Sequence, residues 1–132
     1  MSKRILIVED EPDMVAIMKL TLESKGFKVI AAYDGEEGLQ KAKSEKPDLI
    51  ILDVLMPKIS GDDLATILKK EPETYNIPLI YLTNLPLNFL TGSDDEKSVV
   101  QRDSHGDVYL AKFCTDEQLL LAIKQVLFEH YE

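Results

Sequence analysis

Leu49-Ile50-Ile51-Leu52-Asp53 sets four large apolar residues in a row and ends them on a carboxylate. A run without polar alternation suits a strand buried on both faces, as in a parallel sheet covered by helices, rather than a strand with one wet face. Val54-Leu55-Met56-Pro57 follows at once, so Asp53 stands at the carboxyl end of a central strand, where the chain leaves the sheet. In open α/β sheets that edge is where ligands bind.

Working outward, the same pattern recurs. Ile5 to Val8 is a short apolar run closed by Glu9-Asp10-Glu11-Pro12, and a proline there suits the first turn of a helix. That helix is expected to reach about Lys25, with Met14, Ile17, Met18 and Leu22 on its apolar face and Gly26 as its stop. Phe27 to Ala32 reads as a strand. Asp34 with Glu37 three residues on resembles a capping box for a helix through roughly Ser44. After the central strand, Ser60-Gly61-Asp62 opens a helix carrying Leu64, Ile67 and Leu68, which Pro72 ends. Ile77 to Leu82 reads as a fourth strand finishing at Thr83, and Val108 to Ala111 as a fifth finishing at Lys112. Thr115 and Gln118 form another capping pair before Leu119, Leu120, Ile123, Val126 and Leu127. Strand and helix thus alternate five times, which predicts a doubly wound parallel sheet with right-handed crossovers. Asn84 to Gly106 fits worst. It is expected to be irregular at first and then a short helix from about Asp94 to Arg102.

Composition narrows the function. The 132 residues suit one domain, with 45% hydrophobic and 30% charged residues. A net charge of -9 and no basic patch disfavour nucleic acid and anionic membrane as partners. Cys114 is the only cysteine, so no internal disulfide forms, and a reducing, cytoplasmic setting is expected. The first apolar run is too short for a signal peptide or membrane span.

Four of the five expected strands deliver polar groups to one edge: Glu9 and Asp10, then Asp53, Thr83 and Lys112. Each has a plainer explanation alone, as a cap, a turn residue, a strand threonine or a solvated lysine. Their coincidence at successive strand ends is what points to a site. Crowded carboxylates repel one another, and a hard divalent cation relieves that; Mg²⁺ takes one or two carboxylates, waters and a phosphate oxygen. A carboxylate beside it can attack a phosphoryl group to give an aspartyl phosphate. Lys112 and Thr83 would then neutralise and hydrogen-bond the remaining phosphoryl oxygens.

Ile-Leu-Ile-Val-Glu-Asp-Glu-Pro at Ile5 to Pro12, Leu-Asp-Val-Leu-Met-Pro at Leu52 to Pro57 with Gly61, Tyr-Leu-Thr at Tyr81 to Thr83, and Tyr-Leu-Ala-Lys at Tyr109 to Lys112 together resemble the receiver domain of two-component response regulators, over essentially the whole chain. The resemblance implies a flavodoxin-like fold of five parallel strands in the order 2-1-3-4-5; from the length of the chain a single receiver domain is expected, with no effector domain after Glu132. It implies Asp53 as acceptor of a phosphoryl group from a sensor histidine kinase or phosphotransfer protein. Mg²⁺ would sit on Asp10, Asp53 and the Leu55 carbonyl, with Glu9 close by through water. Thr83 and Tyr109 would be the switch pair, coupling a charge of up to about -2 on the phosphorylated group to a surface made by the fourth helix, fifth strand and fifth helix. Such a module catalyses only its own phosphoryl transfer and dephosphorylation.

Departures from the family pattern mark what is particular to this chain. Phe113 follows Lys112 where relatives carry a proline with a cis peptide. A cis bond costs about 3 to 4 kcal/mol before a non-proline residue, so a trans bond and a rebuilt loop are expected. Asn84 is bulkier than the usual small residue after the threonine and would narrow phosphoryl access. Leu55 and Leu85 replace polar groups near the attacking water, which implies slow spontaneous dephosphorylation. The interval from Thr83 to Lys112 is longer than usual, and Leu85 to Leu90 is either a docking or self-association patch for a partner protein or a homodimer, or local core under the loop. Two further readings stand beside a phosphorylation-driven module that acts by protein contact. One is a degenerate receiver that binds partners without phosphorylation. The other is an aspartate-based phosphohydrolase, disfavoured because Leu55 stands where a proton-transfer group would help.

Overall fold

The structure is a computed structural model that describes residues 2–56, 59–84, 100–102, 107–112 and 114–128. Its elements are β1 (Arg4–Val8), α1 (Pro12–Ser24), β2 (Lys28–Ala32), α2 (Gly35–Glu45), β3 (Leu49–Asp53), α3 (Gly61–Lys70), β4 (Leu79–Thr83), β5 (Val100–Arg102), β6 (Val108–Ala111) and α4 (Asp116–Phe128). Five strands pair in parallel as β2-β1-β3-β4-β6, the order expected, and β5 adds an antiparallel edge beyond β6.

All five residues of β3 are buried, as are all those of β4 and β6. Alternating side chains sort onto two faces. Ile5, Ile7, Leu49, Ile51, Ile80 and Leu110 pack with the buried stripes of α1 and α4. Leu6, Val8, Ile50, Leu52, Tyr81 and Tyr109 pack on the other side, with Leu64 and Leu68 of α3.

The local signals for helix ends hold. Pro12 opens α1, and Gly26 at φ 92° lets its last turn close with Phe27 N–H donating to Leu22 O at 3.2 Å. The amide of Glu37 donates to Asp34 Oδ1 at 2.8 Å, and Asp63 N–H donates to Ser60 Oγ at 3.1 Å. The Thr115 and Gln118 box is reciprocal, with Gln118 N–H on Thr115 Oγ1 at 3.1 Å and Thr115 N–H on Gln118 Oε1 at 2.8 Å.

Three expectations are corrected. The sheet has six strands, and Val100–Arg102, expected as the end of a helix, is a strand because it pairs with β6 in the register Val100↔Leu110, Gln101↔Tyr109, Arg102↔Val108. The buried stripe of α1 is Val15, Met18 and Leu22, at i, i+3 and i+7, which turns Ile17 to solvent at 65% exposure. The fourth strand starts at Leu79 rather than Ile77, because Pro78 precedes it and Ile77 N–H is engaged in the preceding turn with Thr74 O at 3.1 Å. The Leu85 to Leu90 patch, the first part of the helix expected from Asp94, and the Lys112–Phe113 linkage lie outside the described residues.

Gly61 fixes where the chain turns after β3. A Cβ there would lie 2.1 Å from the Asp53 carbonyl oxygen, and the Gly61 amide donates to Val54 O at 3.0 Å. Gly61→Ala should therefore destabilise the fold by roughly 1–3 kcal/mol or more, measured by urea denaturation. A loss of no more than a few tenths of a kcal/mol would contradict this close packing.

Candidate functional site

The carboxyl ends of β1, β3, β4 and β6 lie side by side. Val8 is the register partner of Leu52, Asp53 of Leu82, and Thr83 of Ala111. Each strand thus hands its next polar residue to one row. Glu9, Asp53 and Thr83 are buried there, at 1%, 4% and 1% exposure. Buried charges require partners.

Lys112 supplies one. Its Nζ lies 2.8 Å from Glu9 Oε1, 3.1 Å from Asp53 Oδ2 and 3.5 Å from Glu11 Oε1. Backbone amides orient the acids further: Leu55 N–H donates to Asp53 Oδ1 at 3.2 Å, and Glu11 N–H donates to Glu9 Oε2 at 3.3 Å. Glu9 Oε1, although ion-paired, has no partner in hydrogen-bonding geometry.

The charge balance is visible in the acidities. Burial is the main cause that pushes Glu9 up to about 7. Lys112 draws it back, and Asp10 and Asp53 raise it further. Burial disfavours the Lys112 ammonium, but its contacts with Glu9 and Asp53 outweigh that and hold it above the ordinary lysine value.

Glu9, Asp10 and Asp53 each offer a carboxylate oxygen within 4.8 Å of the others. Three hard oxygens converging in a largely buried pocket fit a hard divalent cation, and Glu9 also has one oxygen lacking a directed hydrogen bond. The pocket can therefore take a metal ion.

The residues singled out in the sequence meet here. Asp10, Glu9, Asp53 and Lys112 form one cluster, and Thr83 ends the strand beside Asp53. Leu55 meets Asp53 through its amide, while its side chain is 60% exposed. Asn84 is exposed. Tyr109 is buried two residues before Ala111, the register partner of Thr83. Two contributors went unassigned in the sequence. Glu11 looked like a helix-capping acid, and its reach to Lys112 depends on β1 lying near the end of β6. Tyr81 looked like an ordinary strand residue until register placed it beside Tyr109, with ring centroids 4.5 Å apart.

Residues 5–124 match the response regulator receiver domain. PhoP, the alkaline phosphatase synthesis transcriptional regulatory protein of Bacillus subtilis, is 35% identical over 128 residues, which is 96% of this chain and 49% of PhoP. Response regulator ArlR of Staphylococcus aureus is 35% identical over 124 residues, 94% of this chain and 52% of ArlR. The chain spans about half the length of these curated relatives. PhoP is by name a transcriptional regulator, so the expectation that nucleic acid plays no part finds no support in these relatives; the net charge speaks only for this chain's own surface. Among solved structures, the signal receiver domain of a signal transduction histidine kinase from Syntrophus aciditrophicus aligns with a TM-score of 0.78 at 32% identity, over 99% of this chain and 94% of that one. Chemotaxis protein CheY4 of Vibrio cholerae aligns at 0.79 and 27% identity, over 96% of this chain and 100% of that one. Among the described residues, no helix is long and apolar enough to cross a membrane. With its strand order, its acidic pocket and a family match across residues 5–124, the chain belongs to the response regulator receiver domains, the signalling modules of two-component systems.

Proposed function

We propose that this chain is a phosphoacceptor in which Asp53 takes a phosphoryl group from the phosphohistidine of a sensor kinase or phosphotransfer protein and signals by contact with a downstream protein. The observation that carries this reading is the buried Asp53 carboxylate, held by Lys112 Nζ at 3.1 Å with Glu9 and Asp10 beside it at the sheet edge.

In the transfer, a carboxylate oxygen of Asp53 attacks phosphorus, the N–P bond breaks, and the imidazole nitrogen leaves with the electron pair and takes up a proton. Mg²⁺ suits the pocket, with Asp10, Asp53 and the Leu55 carbonyl as ligands and Glu9 through water, and it would supply charge neutralisation for the acids and the incoming phosphoryl oxygens. Lys112, already on Asp53 Oδ2, is poised to follow the new negative charge. Thr83 would donate its hydroxyl to a phosphoryl oxygen, with Tyr109 as the aromatic half of the switch.

The decisive experiment treats the protein with a small phosphodonor plus Mg²⁺ and weighs it intact. A single stable phosphoryl adduct that is lost in Asp53→Asn is expected. No addition would instead favour a phosphorylation-independent interaction module, and continuous phosphate release a hydrolase. Lys112→Ala should lower the rate of adduct formation by about 10²-fold.

The raised Glu9 pKa makes stability depend on pH. Between the ordinary carboxylate value and about 7, the native state keeps a proton on Glu9 that the unfolded chain releases. Stability of the metal-free protein should thus fall as pH rises through that window, by roughly 1–3 kcal/mol. Melting curves from pH 5 to 8 should show the decline, with Mg²⁺ stabilising more at pH 8 than at pH 5 and Glu9→Gln flattening the profile. A profile unchanged in Glu9→Gln would contradict it.

Leu55 places no proton-transfer group beside Asp53. The adduct should therefore be long-lived, and Leu55→Asn should shorten its half-life several-fold. An unchanged half-life would remove Leu55 as a determinant.

A further inference from the structure

Tyr81 on β4 and Tyr109 on β6 are register partners in adjacent parallel strands. Both are buried, at 3% and 8% exposure, and their rings stack with centroids 4.5 Å apart and planes 16° from parallel. Side chains at i and i+2 of a strand share a face, so Tyr81 and Thr83 point to one side of the sheet. On β6, Tyr109 and Ala111 do likewise, and Ala111 is the partner of Thr83. The aromatic pair and the threonine thus form a short column on the face packed by α3, which contributes Leu64, Ala65 and Leu68 to that core.

β6 is also not the edge of this sheet. β5 runs antiparallel along its far side, with Gln101 in register with Tyr109. On a sheet edge, a ring can swing past the last strand into water. Here the outward path leads over a further strand.

We infer that Tyr81 is a positioning residue that clamps Tyr109 inward by ring stacking, so that the aromatic half of the switch is set by β4 rather than by the phosphoryl group. The inference rests on the reading of Thr83 and Tyr109 as the switch pair. A buried stacked pair favours its own geometry by roughly two- to tenfold over the unstacked one, which biases the inward ring independently of any charge at Asp53. Phosphorylation would then act chiefly through Thr83 and the chain beyond it, with little further movement of the Tyr109 ring.

The test uses the full chain labelled with fluorotyrosine and follows the Tyr109 resonance, assigned through Tyr109→Phe. Without additives, wild type should give a single signal insensitive to solvent. Tyr81→Phe, which keeps a ring, should retain it, and Tyr81→Leu should shift it toward the exposed position. Adding beryllofluoride with Mg²⁺, a phosphoryl mimic, should leave the wild-type Tyr109 signal nearly unmoved and shift that of Tyr81→Leu. Urea denaturation checks that the variants fold, and a Leu79→Ala control, also in the β4 core, should lose stability without moving the Tyr109 signal. A large wild-type shift on adding the mimic, or Tyr81→Phe behaving like Tyr81→Leu, would overturn the clamp. Failure of the mimic to bind at all would count against Asp53 as acceptor, while the additive-free comparison of the variants still decides the clamp.

Discussion

One ammonium among buried acids is the constraint on which the site depends. Lys112 Nζ contacts Glu9, Asp53 and, more distantly, Glu11, and its side chain is 9% exposed. Two carboxylates with side-chain exposures of 2% and 5% have little water to stabilise their charge. Removing one partner of such a group typically costs several kcal/mol, because the rest are left buried and unpaired. The arrangement exists only if β1, β3 and β6 end at the same level. The parallel registers of β1 with β3, β3 with β4, and β4 with β6 provide that, and the wholly buried strands keep those registers from slipping.

The compensation is incomplete, and that has a chemical meaning. One lysine is shared by three acids, Glu9 stays hard to ionise, and one of its oxygens has no directed hydrogen bond. A structural ion pair would gain from closing that gap with a further donor. A site built to take up a cation gains from leaving it open, because the incoming ion then meets an oxygen held by an ion pair but by no directed hydrogen bond. The fixed part of the design lies in the backbone: the amides of Leu55 and Glu11 hold the inner acids, and Gly61 allows the chain after β3 to lie against the Asp53 carbonyl.

Much of this was legible in the sequence. Unbroken apolar runs ending on polar residues mark buried strands and the edge they share, and capping pairs such as Thr115 with Gln118 satisfy local hydrogen bonds whose partners lie three residues apart. What escaped depends on contacts between distant segments. Ser93-Asp94-Asp95-Glu96 carries a helix-start signal, yet Val100–Arg102 is a strand, and three residues gain nothing from being extended until β6 lies alongside. Ile17 fits an apolar helical face as well as Val15 does when only spacing is considered, and it is the position of the sheet that decides between them. Glu11 gains its partner only where the strand ends come together, and Tyr81 only through the register of β4 with β6.

In the proposed phosphoacceptor, the site and the rest of the sheet would be joined at β4 through Thr83. Thr83 ends the strand beside the one that ends on Asp53, and its carbonyl accepts the Lys112 amide at 2.8 Å. A phosphoryl charge that drew Lys112 away from Glu9 would therefore pull on the same residue as one that drew the Thr83 hydroxyl. Close-packed cores respond to such a pull by shifting between discrete arrangements rather than by bending gradually. With Tyr81 packed two residues earlier on the same face, the ring stack would resist displacement of Thr83 along β4.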